Sequence, residues 1–221
     1  GTKTATYGSA MPAISTTAPT RTGYTFGGWY DTSASTGGTQ YYTAAGASAR
    51  TWDKASNTTL YARWTIKTYT VTFDKKGGTG GTSIKQVAYG STVGTVTNPT
   101  LSGWTFRGYT DDFGKNTCLF VKANGTATAR TIGSAKTLYA NWTKTVSLSA
   151  NGATTAGSLA SLTAGIGRPL GQKCAQVASN DPDYPIRSLF NVGITDKSDW
   201  APTRTGYTFA GYWSTSASSG G

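Results

Sequence analysis

Gly23-Tyr24-Thr25-Phe26-Gly27-Gly28-Trp29-Tyr30 occurs three times in this chain in closely related form. It returns as Gly103-Trp104-Thr105-Phe106-Arg107-Gly108-Tyr109-Thr110 and as Gly206-Tyr207-Thr208-Phe209-Ala210-Gly211-Tyr212-Trp213, each time behind a Pro-Thr pair (Pro19-Thr20, Pro99-Thr100, Pro202-Thr203). Side chains alternate along a strand with period 2, so the aromatic at the second position and the Phe at the fourth share one face. The position after Phe holds Gly27, Arg107 or Ala210 and reads as a water-facing site that tolerates any side chain. The next residue is glycine in all three copies (Gly28, Gly108, Gly211), which predicts a bulge or a close approach of another backbone. A strand with an aromatic face and a glycine kink is a packing device.

Around these strands the chain divides into three modules. Residues 67–143 hold a full set of parts. Tyr69-Thr70-Val71-Thr72-Phe73-Asp74 alternates, with Tyr69, Val71 and Phe73 on one face, and ends in the glycine-rich turn Lys75–Gly81. Ser83–Tyr89 reads as a strand returning through that turn, Thr117–Val121 as a short strand, and Leu138-Tyr139-Ala140-Asn141-Trp142 as the closing strand. Residues 1–66 repeat these parts without the opening strand. Thr4–Ser9 matches Gln86–Ser91, and Leu60-Tyr61-Ala62-Arg63-Trp64 matches the closing strand. Residues 144–221 open with Thr145–Leu148, carry an insertion at about 155–200, and stop short of a closing strand.

Composition narrows the chemistry. The chain has 221 residues, 20 Lys+Arg against 9 acidic residues, a net charge of +11, and no His. Every acidic residue is Asp. The usual general base and pH switch are therefore missing, and the chain reads as a non-enzyme with no cofactor and no metal site. Asp111-Asp112 and the pair Asp181/Asp183 are its clustered carboxylates. A glycosidase needs two carboxyls in different environments about 5–9 Å apart, whereas adjacent Asp residues after a strand are ordinary turn formers. A Ca²⁺ site at Asp181-Pro182-Asp183 wants about six to eight oxygens, more than the nearby acids supply. The sequons at Asn57, Asn124 and Asn141 are expected by chance in so Thr-rich a chain.

The basic residues are dispersed (Lys75, Lys76, Lys85, Lys115, Lys122, Arg130, Lys136), with no nucleic-acid-binding signature. Two readings stand for them: a solvated surface, or contact with an anionic polymer. Exposed aromatics stacking on sugars would be a related adhesive use. No apolar run reaches the roughly 18 residues of a membrane span. Cys118 and Cys174 lie in different modules, and they read either as a disulfide to the insertion or as two buried thiols.

The ordered set V-x-F-x-x-x-G-G, G-Y-x-F-x-G-W and L-Y-A-x-W resembles the Listeria–Bacteroides repeat of internalin-type bacterial surface proteins. It covers the first two modules almost throughout and the third at its two ends. The resemblance implies a mostly β, α+β fold of the β-grasp kind, a small mixed sheet curled around a short crossover, in tandem copies on an extracellular or bacterial cell-surface protein. The expected function is a structural spacer or stalk. The alternatives are an adhesive module for glycan, anionic polymer or a host protein, and a filament subunit that exchanges strands head to tail. Expected partners are the neighbouring repeats, with no nucleic acid among them.

A unit of this size buries a modest core and leans on its large aromatics. The spacers Thr65–Thr68 and Thr143–Thr145 are too short to act as flexible linkers, which favours a rod. Small-angle scattering should then show an elongated particle with modules of roughly 30 Å, from strands rising about 3.3 Å per residue; a compact globule refutes the rod.

Overall fold

A computed structural model describes residues 1–14, 17–111, 119–154, 161–165 and 202–208. Nine strands form two sheets, and no helix is present among these residues. The chain is mostly β. The insertion at 155–200 falls outside the described residues apart from the strand at 161–165.

Two compact units are defined by internal packing. The first comprises Gly1–Tyr69 with Gln86–Ser91 and Thr131–Ala135, and the second comprises Thr70–Lys85, Thr92–Arg130 and Lys136–Gly221. The first unit carries an antiparallel sheet of β1 (Tyr24–Tyr30), β2 (Gln40–Tyr42) and β3 (Tyr61–Ile66), in the order β2-β1-β3. β1 is the quoted aromatic strand. Phe26 stands opposite Trp64 and Gly28 opposite Arg63, so the register slips by one residue at Gly27. Phe26 packs on Trp29 and Trp64, at 5.7 and 5.4 Å between ring centres.

The larger sheet is built from β4 (Thr68–Asp74), β5 (Ile84–Ala88), β6 (Thr105–Thr110), β7 (Leu119–Val121), β8 (Lys136–Ser147) and β9 (Ser161–Gly165). Its order is β5-β4-β8-β6-β7, with β9 on β8. At its centre β4 and β8 run parallel, Phe73 beside Leu138, while β6 lies antiparallel to β8 with Phe106 opposite Trp142. Phe73, Phe106 and Trp142 share one aromatic cluster through Tyr109. Phe73–Tyr109, Tyr109–Phe106 and Phe106–Trp142 are separated by 5.0, 5.1 and 5.4 Å. Trp142 also donates its indole Nε1–H to the Lys75 carbonyl at 2.8 Å, which ties the closing strand to the turn after β4.

The crossover between β5 and β6 is extended, and it buries Val93 and Val96. Its run Thr92-Val93-Gly94-Thr95-Val96-Thr97-Asn98-Pro99 is made of poor helix formers. It is held by the exchanged pair Thr79–Thr100 and by Val96 N–H donating to the Gly125 carbonyl. The position between Phe and the second glycine is not simply wet: Arg107 is half-buried, and its Nε donates to Thr143 Oγ1 at 2.9 Å.

Where the sequence suggested a spacer at Thr143–Thr145 followed by a new strand, β8 runs on without a break to Ser147 and pairs with β9. Lys144-Thr145-Val146-Ser147 offers no Gly or Pro to end it.

Among the described residues, two sets of backbone bonds recur with the sequence. Gly8 N–H donates to the Trp52 carbonyl and Trp52 N–H to Ser9; Gly90, Ile132 and Ser91 repeat the pattern, every bond at 2.8 Å. The turns before the aromatic strands match too, with Tyr24 donating to Arg21, Trp104 to Leu101 and Tyr207 to Arg204, all at 3.0 Å.

The second glycine carries both features expected of it. Gly28 and Gly108 share φ +114°, and a methyl on either would stand 2.3 Å from a carbonyl oxygen, of Tyr42 or Val121. Next to Gly108, Tyr109 is fully buried, its hydroxyl has no hydrogen-bond partner, and its pKa is pushed up to about 12, first by burial and then by the Asp74 charge. The two neighbours should therefore respond oppositely. Gly108→Ala is expected to cost about 3 kcal/mol or more, from backbone strain and the blocked carbonyl. Tyr109→Phe removes an unsatisfied buried hydroxyl and should be neutral or stabilising by about 1 kcal/mol. Thermal and urea unfolding of both variants checks the pair, and a clear loss on Tyr109→Phe would mean that the hydroxyl is satisfied in solution.

Candidate functional site

The polar chemistry of the described residues gathers in two clusters, one in each unit. In the first unit β2 delivers Tyr41, fully buried, beneath the loop that carries Arg50, Trp52, Asp53 and Lys54. The Tyr41 hydroxyl donates to Asp53 Oδ1, and Arg50 pairs with the other carboxylate oxygen. Lys54 reaches Asp31 at 2.9 Å, and Asp31 also accepts from Thr39 N–H at 2.7 Å. Trp52 lies 5.1 Å from the Tyr41 ring.

The hydrogen bond from Tyr41 is the main reason that the Asp53 carboxyl titrates below its ordinary range, and the bond from Thr39 is the main reason for Asp31. Burial and the Asp53 partner push the Tyr41 hydroxyl upward. None of these groups is a free acid or base. Each carboxylate is already occupied by a donor from its own fold.

The second cluster is centred on Asp111, just past β6. Lys136 Nζ lies 2.9 Å and Arg130 Nη2 3.6 Å from the same carboxylate oxygen. Both cations also lie over the Phe120 ring, at 4.5 and 4.4 Å from its centre. Burial pulls the Asp111 carboxyl upward, but the bond and charge of Lys136, with Arg130, outweigh it and hold the group below its usual value. Asp112, the other half of the suggested carboxylate pair, lies outside the described residues, as do Asp181, Asp183, Lys115, Cys118 and Cys174.

Other cations have structural partners. Lys85 Nζ donates to the carbonyls of Val93 and Thr95 at 2.8 and 3.0 Å, pinning the crossover. Lys75 reaches Ser83 Oγ at 2.9 Å, and Lys76 pairs with Asp74 at 2.9 Å. Of the sequon residues, Asn57 is exposed, Asn124 Oδ1 caps its own turn by accepting from Thr126 N–H at 3.0 Å, and Asn141 Nδ2 bonds Thr110 Oγ1 at 3.2 Å.

Sequence reasoning missed the Tyr41–Asp53–Arg50 network. It also missed the partners of Asp111, which lie 19 and 25 residues further along the chain. A usable signal existed for the latter, since Lys136 opens the closing strand paired beside β6 and Arg130 lies just before it.

Taken together, the sheets and these clusters define a small-module repeat protein whose distinctive residues are spent on packing. The sequence matches the Listeria–Bacteroides repeat domain family over residues 1–63 and 69–141, and the chain belongs to that family. It is thereby a repeat-bearing protein of the surface-protein class.

The chain is similar to Internalin H of Listeria monocytogenes serovar 1/2a, 40% identical over 134 residues, which are 58% of this chain and 21% of that protein. It is also similar to two proteins of Evansella cellulosilytica. One is a putative Gly-rich membrane protein, 30% identical over 56% of this chain and 13% of its own length. The other is a putative membrane protein, 31% identical over 62% of this chain and 19% of its own. The chain thus spans a minor part of each relative. No solved structure matches it.

The lowered carboxyls make stability depend on pH. A group whose folded pKa lies below its unfolded value of 3.8 adds stability above that value and loses it as pH falls through the folded pKa. The melting temperature should therefore hold down to about pH 5 and drop steadily below pH 4. Asp111→Asn should be destabilised at pH 7 and converge on the parent protein near pH 2, which thermal melts across that range will show. A gap that persists unchanged at acid pH would assign the loss to packing instead of charge.

Proposed function

We propose that this chain is a structural spacer, a run of small β modules on a larger extracellular or cell-surface protein, with no enzymatic role. The module boundaries that suit this role are 1–66, 67–143 and 144–221. The observation that carries the proposal is where the repeated residues go. Phe26, Trp29 and Trp64 pack on one another in the first unit, and Phe73, Tyr109, Phe106 and Trp142 form a chain of contacts in the second, while Lys85, Arg130 and Lys136 hold the module's own loops and carboxylate. A repeat whose recurring side chains are consumed internally transmits position. The names of the relatives, an internalin and two putative membrane proteins, support a surface or membrane-associated setting.

A second reading is favoured by the net charge of +11. A positive field of that size attracts anionic polymers such as wall glycopolymers or sulfated glycans, with an affinity that salt weakens. An array of neutral and anionic glycans, probed with the chain and with a variant lacking 155–200, separates the two. The spacer reading expects background signal from both proteins. Saturable binding that disappears with the deletion assigns an adhesive role to the insertion. Binding that survives the deletion and fades with salt assigns it to the basic surface.

A further inference from the structure

In the larger sheet β4 and β8 lie side by side and point the same way, with Val71 beside Lys136, Thr72 beside Thr137, Phe73 beside Leu138 and Asp74 beside Tyr139. They are also the first and last strands of the repeat matched at residues 69–141. β5, β6 and β7 all come from the stretch of chain between them. A backbone that enters this repeat at the start of β4 therefore leaves it at the far end of β8. Its two exits are held by two directly paired strands, at opposite ends of one ladder.

That direction decides how tension acts. A pull along the chain draws β4 toward its own start and β8 toward its own end, so the strands must slide past each other. The evenly spaced bonds of a parallel ladder are then loaded together and fail together. Parting the same strands from one end would break the bonds one at a time. Side chains resist the slide as well. Val71, Phe73, Leu138 and Ala140 are buried, which keeps water from taking over a stretched bond. Past the paired residues, the Trp142 indole N–H holds the Lys75 carbonyl at 2.8 Å and ties the end of β4 further along β8. The entry to β4 is fixed too. Lys67 N–H donates to the Gly23 carbonyl at 2.9 Å, and the Lys67 carbonyl accepts from Tyr89 N–H at 2.8 Å. The Tyr89 ring packs on Gly23, where a methyl would stand 2.0 Å from its Cδ1.

We infer that the parallel β4–β8 pair is a tension clamp, which lets this repeat keep its length when the chain is pulled from both sides. While the pair holds, the residues between the two strands carry no load. The antiparallel pairing of β6 with β8 lies off the load path, because β6 is reached only through the chain between the clamp strands. The inference deepens the spacer reading and rests on it for its use, since a spacer in a surface protein is loaded through its backbone.

Optical-tweezer measurements on the full chain, pulled in two directions, test the inference. DNA handles joined through an azide-bearing amino acid at Lys67 and Ser147 pull along the ladder. Handles at Lys67 and Ala135 part its strands from one end. All three positions are exposed, and the folded repeat is the same in both, so the two measurements differ in direction alone. At equal force the repeat should last at least about tenfold longer in the first geometry, a barrier difference of about 1.4 kcal/mol. It should then open in a single step of roughly 220 Å, the extended length of the chain released. Equal lifetimes in the two geometries overturn the inference, as does lengthwise opening in several smaller steps. The clamp and the spacer reading fail separately. Saturable binding on the glycan array would displace the spacer reading and leave these lifetimes unchanged.

Discussion

The structure depends on a backbone approach that only glycine permits. At Gly28 and Gly108 the carbonyl of the neighbouring short strand, at Tyr42 or Val121, comes within 2.3 Å of where a Cβ would sit. The register slip against the closing strand falls beside it, at Gly27 in β1 and between Phe106 and Tyr109 in β6. Without that slip the face of the strand would invert halfway along, because one residue of shift moves every later side chain to the opposite side. The bulge keeps Phe106 and Tyr109, three positions apart, in one aromatic cluster. It therefore acts on the core as much as on the backbone, joining the Trp142 end of the cluster to the Phe73 end.

Charge follows a similar economy. A chain with so few acidic residues could leave them as solvated surface groups. Instead Asp31, Asp53, Asp74 and Asp111 all hold their carboxyls below the ordinary range through donors supplied by the fold. The donors are Thr39 and Lys54, Tyr41 and Arg50, Lys76, and Lys136 with Arg130. Exposed pairs are individually weak, and long side chains lose entropy in making them. Here they link separate stretches of each unit, Lys54 to Asp31 in the first and Lys136 to Asp111 in the second.

Much of this was legible in the sequence because it obeys local rules. The period-2 alternation of Tyr69–Asp74 and the recurrence of Gly28, Gly108 and Gly211 point directly to a strand face and a bulge. The core trio Phe73, Phe106 and Trp142 follows from the same alternation. What escaped were relations between distant positions. Tyr89 appears as one more strand aromatic until the backbone brings Gly23 beneath it. Asp111 appears as half of an acidic pair until β6 and β8 are set side by side and the Lys136 side chain reaches it. The unbroken β8 was hidden for another reason: its residues suit either a spacer or a strand, and the pairing with β9 decides between them.

These facts bear on why such units come in series. A sheet of this size has few side chains with which to exclude water, and its aromatics are already committed to one face. An added contact is worth most where it covers backbone that no side chain of the same repeat can cover. Gly23 is such a place, since the turn needs φ +78° and so a residue without a side chain. The tyrosine that closes it comes from the following repeat's sequence, 66 residues on by chain number but one hydrogen bond away from Lys67. The requirement that shapes the turn thus creates the gap that a neighbour fills. At Gly23 that neighbour is the following repeat, which brings Tyr89.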